Sequence, residues 1–86
     1  MVERVVVIKN ETGLHARPAS NFVNFAKSFD EKISLSGKEK TINAKSILNV
    51  LSLSLKNGDS VTVSVEGDNE NETLDKVVSF LDELTD

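Results

Sequence analysis

His15, the single histidine among 86 residues, is the one side chain able to act as a nitrogen nucleophile near neutral pH. It stands in Gly13-Leu14-His15-Ala16-Arg17-Pro18-Ala19. Two residues on, Arg17 brings a planar guanidinium whose fork of donors fits phosphate oxygens. Ala19, Phe22, Val23 and Ala26 then recur at i, i+3, i+4 and i+7, the spacing of an amphipathic helix running from Ala16 to about Lys27. Pro18 is tolerated only in the first turn, where its missing N–H does no harm. The helix therefore starts at residue 15 or 16, which places His15 at or next to its N-cap. A helix start presents backbone N–H groups without helical acceptors and a partial positive charge, and both suit a phosphate. A lone histidine most often decorates a surface. Its combination with an arginine and a helix start points instead to a phosphoryl group held on imidazole.

Magnitudes distinguish storage from hydrolysis. An exposed helix end stabilises an anion by about 0.3–1 kcal/mol, rising to ~2 kcal/mol when partly buried. Each hydrogen bond to a charged group adds roughly 1.5–3 kcal/mol. A few such contacts orient a phosphohistidine without trapping it. No carboxylate pair, metal-ligating cluster or second base adjoins His15 in the sequence to activate water. The expectation is a phosphoryl carrier and not a turnover enzyme, with no metal and no cofactor. Other catalytic templates fail. Gly37-Lys38 lacks the upstream glycine of a P-loop and is followed by Glu39, and neither Gly-x-Gly-x-x-Gly, His-Glu-x-x-His nor Gly-x-Ser-x-Gly occurs. The absence of cysteine removes disulfides, thiolate nucleophiles and Cys-based metal sites.

Ser46 is the second candidate. It follows Asn43-Ala44-Lys45 and opens the apolar segment Ile47-Leu48-Asn49-Val50-Leu51. Its plain reading is an N-cap. As a phosphorylation site it would add about −2 charge at a helix start, steadying that helix while repelling acidic partners. Ile47, Leu48 and Leu51 cannot all face a core already served by two longer helices, so part of this segment is expected to form an exposed docking patch.

These residues need a scaffold. Val2 to Ile8 is a β-branched, apolar strand, and Lys32 to Ser36 alternates as a half-buried one. Gly37-Lys38 reads as a turn, and Glu39 to Asn43 as the returning strand. A short helix follows from Ser46 to about Leu53, capped by Asn43 or Ser46. Asn57-Gly58 signals a turn before the alternating strand Ser60 to Val65. Leu74, Val77, Val78, Leu81 and Leu84 then mark a helix from Glu70 to Leu84, whose acidic start suits its positive end. The order is β-α-β-β-α-β-α. It predicts an α+β two-layer sandwich, its antiparallel sheet wet on one face, in a single domain over residues 1–86.

Charge is divided unevenly along the chain. Residues 1–58 hold nine basic and five acidic side chains, a balance of +4, and residues 59–86 hold one and nine, a balance of −8. The repelling half argues against direct nucleic-acid binding, whereas the basic half fits docking onto acidic protein surfaces. Tyr and Trp are absent as well, leaving only four Phe for base stacking. No charged run leads into a long apolar stretch near Met1, and the longest apolar runs, such as Val5 to Ile8, fall far short of the ~20 residues that span a bilayer. The expected setting is cytoplasmic, without membrane insertion.

The heptapeptide around His15, followed by Lys45-Ser46-Ile47, closely resembles HPr, the histidine-containing phosphocarrier family of the bacterial phosphoenolpyruvate:sugar phosphotransferase system, in its Gram-positive type with a regulatory serine. The resemblance covers the whole chain in length, element order and both motif positions. It implies an open-faced two-layer β-sandwich, a four-stranded antiparallel sheet covered on one face by three helices. It also implies that His15 takes a phosphoryl group from phosphorylated enzyme I through Nδ1 and passes it to the enzyme IIA domains of sugar permeases. Carried over by position, Arg17 orients the phosphoryl group, the backbone N–H groups of Ala16 and Arg17 line its site, and Pro18 fixes the helix turn. Ser20, Asn24, Ile47, Leu48 and Leu51 belong to the docking face, and the carrier is expected to be a monomer.

Ser46 resembles the serine modified by the ATP-dependent HPr kinase/phosphorylase, whose product is a corepressor of the catabolite control protein. A regulatory paralogue in the family lacks the histidine, whereas His15 is present here. The alternative reading is a purely regulatory HPr-like module switched at Ser46. The chain also departs from its relatives. Members often carry Met where Leu48 and Leu51 stand and Gly where Asn49 and Ser54 stand, and the Gly37-Lys38 hairpin is displaced by about two residues.

Overall fold

The computed structural model describes residues 1–84. Strands β1 (Val2–Val7), β2 (Lys32–Gly37), β3 (Lys40–Asn43) and β4 (Ser60–Glu66) alternate with helices α1 (Ala16–Ala26), α2 (Ile47–Ser52) and α3 (Glu70–Glu83) in the expected order. The four strands form one sheet in the order β1-β4-β2-β3, every neighbouring pair antiparallel. Val61, Val63 and Val65 of the central β4 point with Ile33 and Leu35 of β2 into the core, which α1, α2 and α3 close from one side. Burying each such side chain contributes about 1.5–3 kcal/mol. On the opposite face, Val5 of β1 and Lys32 of β2 stand exposed, and the hydroxyl of the buried Ser64 donates to Glu3 Oε2 at 3.0 Å. This is the half-wet sheet that alternation predicts. Among the described residues no helix is long and apolar enough to cross a membrane.

The four Phe residues fasten α1 to α3. Phe25 stacks on Phe80 at 4.5 Å between ring centroids and meets Phe29 edge-on at 5.2 Å, while the fully buried Phe22 tilts against Phe80 at 6.1 Å. Glu31 anchors the start of α3 in another way. Its buried carboxylate accepts from Thr73 Oγ1 at 2.9 Å and from Asn69 N–H at 3.4 Å. The Thr73 hydroxyl, helped by backbone N–H groups and Lys45, outweighs burial and holds the Glu31 carboxyl below its ordinary value.

The β2–β3 turn differs from the reading of the sequence. It lies at Lys38-Glu39, not Gly37-Lys38: Gly37 is the last residue of β2 and pairs with Lys40. Both turn residues take positive φ, 50° at Lys38 and 68° at Glu39. A two-residue hairpin loop twists to match its strands only with both central residues left-handed, and here the pairing register overrides the preference for glycine. Lys38 Nζ offsets part of the strain by donating to Ser54 O at 2.7 Å and pairing with Asp59 Oδ2 at 3.3 Å.

Candidate functional site

Helix α1 begins where Pro18 requires. Its first hydrogen bond runs from Ala19 N–H to His15 O at 2.8 Å, which makes His15 the N-cap and puts Pro18 in the third helical position. Pro18 has no N–H. Ala16 and Arg17 therefore carry the only N–H groups that the first turn leaves without helical acceptors. The His15 side chain is exposed and makes no capping hydrogen bond, so its ring nitrogens are not used to hold the helix. Arg17 is exposed and makes neither a hydrogen bond nor an ion pair among the described residues.

Two chain segments fix the place of His15. Residues 8–14 run alongside residues 55–59, joined by Ile8 N–H to Asp59 O at 2.9 Å, Gly58 N–H to Ile8 O at 2.8 Å and Leu14 N–H to Leu55 O at 2.9 Å. Asn57 Nδ2 donates to Lys9 O at 3.0 Å, and the buried Asn10 side chain donates to Gly13 O. Gly13 has φ +78°, and a Cβ there would lie 2.4 Å from Leu55 O and 2.8 Å from Lys56 Cα. Only glycine allows so close an approach. The residues preceding His15 are thus packed against the loop that follows α2.

That packing creates a cleft of about 240 Å³, which His15 shares with Leu51 and Ser54 at the end of α2 and with Lys56 beyond it. Ser54 has φ 49°, in the left-handed position that ends many helices and usually holds glycine. Asn57-Gly58 was readable as a turn, but nothing local in the sequence places Leu55 and Lys56 beside His15. Their position follows from the long-range β1–β4 register. Among the described residues, no group of three or more His, Cys, Asp or Glu side chains could hold a metal ion.

The other expected residues divide between two helices. On α1, the expected Arg17, Ser20 and Asn24 are all exposed, and their spacing places them on one stripe, which the exposed C-cap Lys27 extends. On α2, Leu48 is 76% exposed, whereas Ile47 and Leu51 are half-buried against the edge of the core. Ser46 rather than Asn43 is the N-cap of α2: its Oγ accepts from Asn49 N–H at 3.4 Å, while Asn43 Oδ1 accepts from Lys45 N–H at 2.9 Å. Ser46 does not line the His15 cleft. It stands at the opposite end of α2, roughly 9 Å away along the helix axis. Lys45 is turned elsewhere, its ammonium donating to Phe29 O.

Comparison with known proteins agrees with this geometry. The family described as "PTS HPr component phosphorylation site" matches residues 2–83. The phosphocarrier protein HPr of Vibrio cholerae serotype O1 is 40% identical over 84 residues, covering 98% of this chain and 99% of its own. The HPr-like protein Crh of Halalkalibacterium halodurans is 39% identical over 82 residues, covering 95% of this chain and 98% of its own. The crystal structure of HPr-C-His from Thermoanaerobacter tengcongensis has a TM-score of 0.90 at 43% identity, covering 95% of this chain and 92% of that one. The open-faced sandwich and the element order are those of the family. The chain belongs to the HPr family of phosphotransferase-system phosphocarriers.

Proposed function

We propose that residues 1–86 act as one phosphocarrier domain, which accepts a phosphoryl group on His15 from phosphorylated enzyme I and delivers it to enzyme IIA domains. In the accepting step the lone pair of His15 Nδ1 attacks phosphorus. The bond between phosphorus and the donor breaks as the new P–N bond forms, and the donor keeps the electron pair. Arg17 and the N–H groups of Ala16 and Arg17 orient the phosphoryl oxygens, while Pro18 holds the turn that aims them. The observation that carries this reading is an exposed, uncapped histidine beside an unpaired arginine at a helix start. Without a second base nearby, the group persists until a partner takes it. The site is complete within one chain, which supports action as a monomer.

The docking face combines the α1 stripe of Arg17, Ser20, Asn24 and Lys27 with the apolar Leu48, flanked by Ile47 and Leu51. Its unpaired cations suit acidic partner surfaces. Phosphorylation of Ser46 by an HPr kinase/phosphorylase would place a dianion at the far end of α2 on this face, weakening contact with acidic partners and marking the protein for the catabolite control protein. His15→Ala is expected to abolish phosphotransfer from enzyme I while leaving the fold intact. Normal transfer through that variant would sink the reading.

Similarity to Crh at 39% identity favours a second reading, a purely regulatory module switched at Ser46. It expects Ser46→Ala to abolish partner binding and His15→Ala to change nothing. The presence of His15 favours the carrier.

A further inference from the structure

Among the described residues that line the cleft, Lys56 is the one besides His15 with an ionisable side chain. The family resemblance gives no role to this position. Its backbone is immobilised next to the histidine: Leu55 O accepts from Leu14 N–H at 2.9 Å, and Lys56 Cα lies 2.8 Å from where a Gly13 Cβ would stand. Lys56 N–H donates to Asp59 Oδ2 at 2.9 Å, which fixes the loop a second time. The Asp59 carboxylate is thereby occupied, since it also pairs with Lys38 Nζ at 3.3 Å. The Lys56 ammonium makes neither an ion pair nor a hydrogen bond among the described residues, although its charge also acts on Asp59. A cation whose backbone is held at the edge of the histidine's cleft can reach an anion bound there.

We propose that Lys56 is a second positioning residue for the phosphoryl group on His15, its ammonium approaching the phosphoryl oxygens from the α2–β4 loop while Arg17 approaches from α1. This rests on the carrier reading. Arg17 and the helix-start N–H groups come from α1, whereas Lys56 comes from the loop between α2 and β4 that lines the cleft. The transferred group is then clamped between two elements that only the tertiary fold brings together. The two cations differ in what they do: a guanidinium fixes the direction of two oxygens, whereas a flexible ammonium supplies charge. Lys56 should therefore act mainly on the charge state and lifetime of the phosphohistidine, and less on its orientation.

The test labels His15 chemically with phosphoramidate, so that it does not depend on enzyme I, and follows the phosphorus resonance against pH in the wild type, Lys56→Gln and Lys56→Arg. The positive groups facing the phosphate are Arg17 and Lys56, and Asp59 is the carboxylate nearest Lys56. Removing one exposed cation should raise the midpoint of the phosphoryl titration by roughly half a pH unit. Lys56→Arg should restore the wild-type midpoint, which a merely structural role would not require. Coincident titrations in the wild type and Lys56→Gln would overturn the proposal, as would a shift that Lys56→Arg fails to reverse. A parallel assay with enzyme I, Mg²⁺ and phosphoenolpyruvate separates the two ideas: no transfer to wild-type His15 would refute the carrier reading, whatever the titrations of the chemically labelled protein show.

Discussion

On the β1–α3 side of the molecule cations meet carboxylates: Arg4 with Asp75 at 2.9 Å, Lys9 with Asp82 at 3.5 Å and Lys76 with Glu72 at 3.2 Å. Around His15, Arg17 and Lys56 have no such partner among the described residues. Backbone strain divides in the same way. Among the described residues, the non-glycine positions with positive φ are Lys38, Glu39 and Ser54, and none lies in β1 or α3. Part of the charge of the acidic C-terminal third is met within this region, by Arg4 of β1, by Lys9 and by the N-terminal amine. The cations beside the histidine, Arg17 and Lys56, take no part in these pairs. The β1–α3 region is organised for cohesion, whereas the region around His15 leaves its cations without carboxylate partners among the described residues.

The largest break in that arrangement should come from Gly13→Ala. A Cβ 2.4 Å from Leu55 O, on a backbone with φ +78°, must push the 8–14 and 55–59 segments apart. A stability loss above about 2 kcal/mol is expected in denaturant titration, together with loss of phosphotransfer. Next in size is the contrast between two arginines. Arg17→Ala should slow transfer from enzyme I by roughly ten- to a hundred-fold, the worth of a charged hydrogen bond, with stability unchanged. Arg4→Ala should leave transfer untouched and lower stability by less than about 1 kcal/mol, as for exposed ion pairs. Equal transfer defects in the two variants would erase the distinction between the sides.

Smaller effects sharpen the comparison. Ser54→Gly relieves a left-handed serine and should raise stability by about 0.5–1 kcal/mol in thermal melts. Glu31 provides a test by pH. Its carboxyl is held below the ordinary value of 4.5, chiefly by the Thr73 hydroxyl. A depressed folded-state value means that its contribution is fully present above pH 4.5 and is lost as pH falls through the lower folded value. Glu31→Gln should flatten the acid limb of the stability curve below pH 4.5 and leave phosphotransfer at neutral pH unchanged. Asp59, held low by the Lys56 N–H and Lys38, should keep the remainder of that limb.

Much of this was readable residue by residue. Pro18 alone places the start of α1, because only the first turn tolerates it, and the period-two runs of β2 and β4 reveal which face is buried. The element order and the His15 motif followed from local chemistry of this kind. Three features did not. The hairpin turn moved by one residue because strand register outranked the glycine preference at Gly37. Glu31 falls between the first helix and the strand from Lys32 that the sequence predicts, yet it accepts from the start of a helix 38 positions away in the chain. Ser54 and Lys56 join His15 only because β1 and β4 pair, a contact no window of sequence contains.

The central claim is that this histidine carries a phosphoryl group. Incubation with enzyme I, Mg²⁺ and phosphoenolpyruvate, followed by phosphorus NMR and mass mapping, tests it most directly. A single acid-labile phosphate on His15 is the predicted result. An unmodified His15, with phosphate appearing on Ser46 only when ATP and a kinase are supplied, would contradict it.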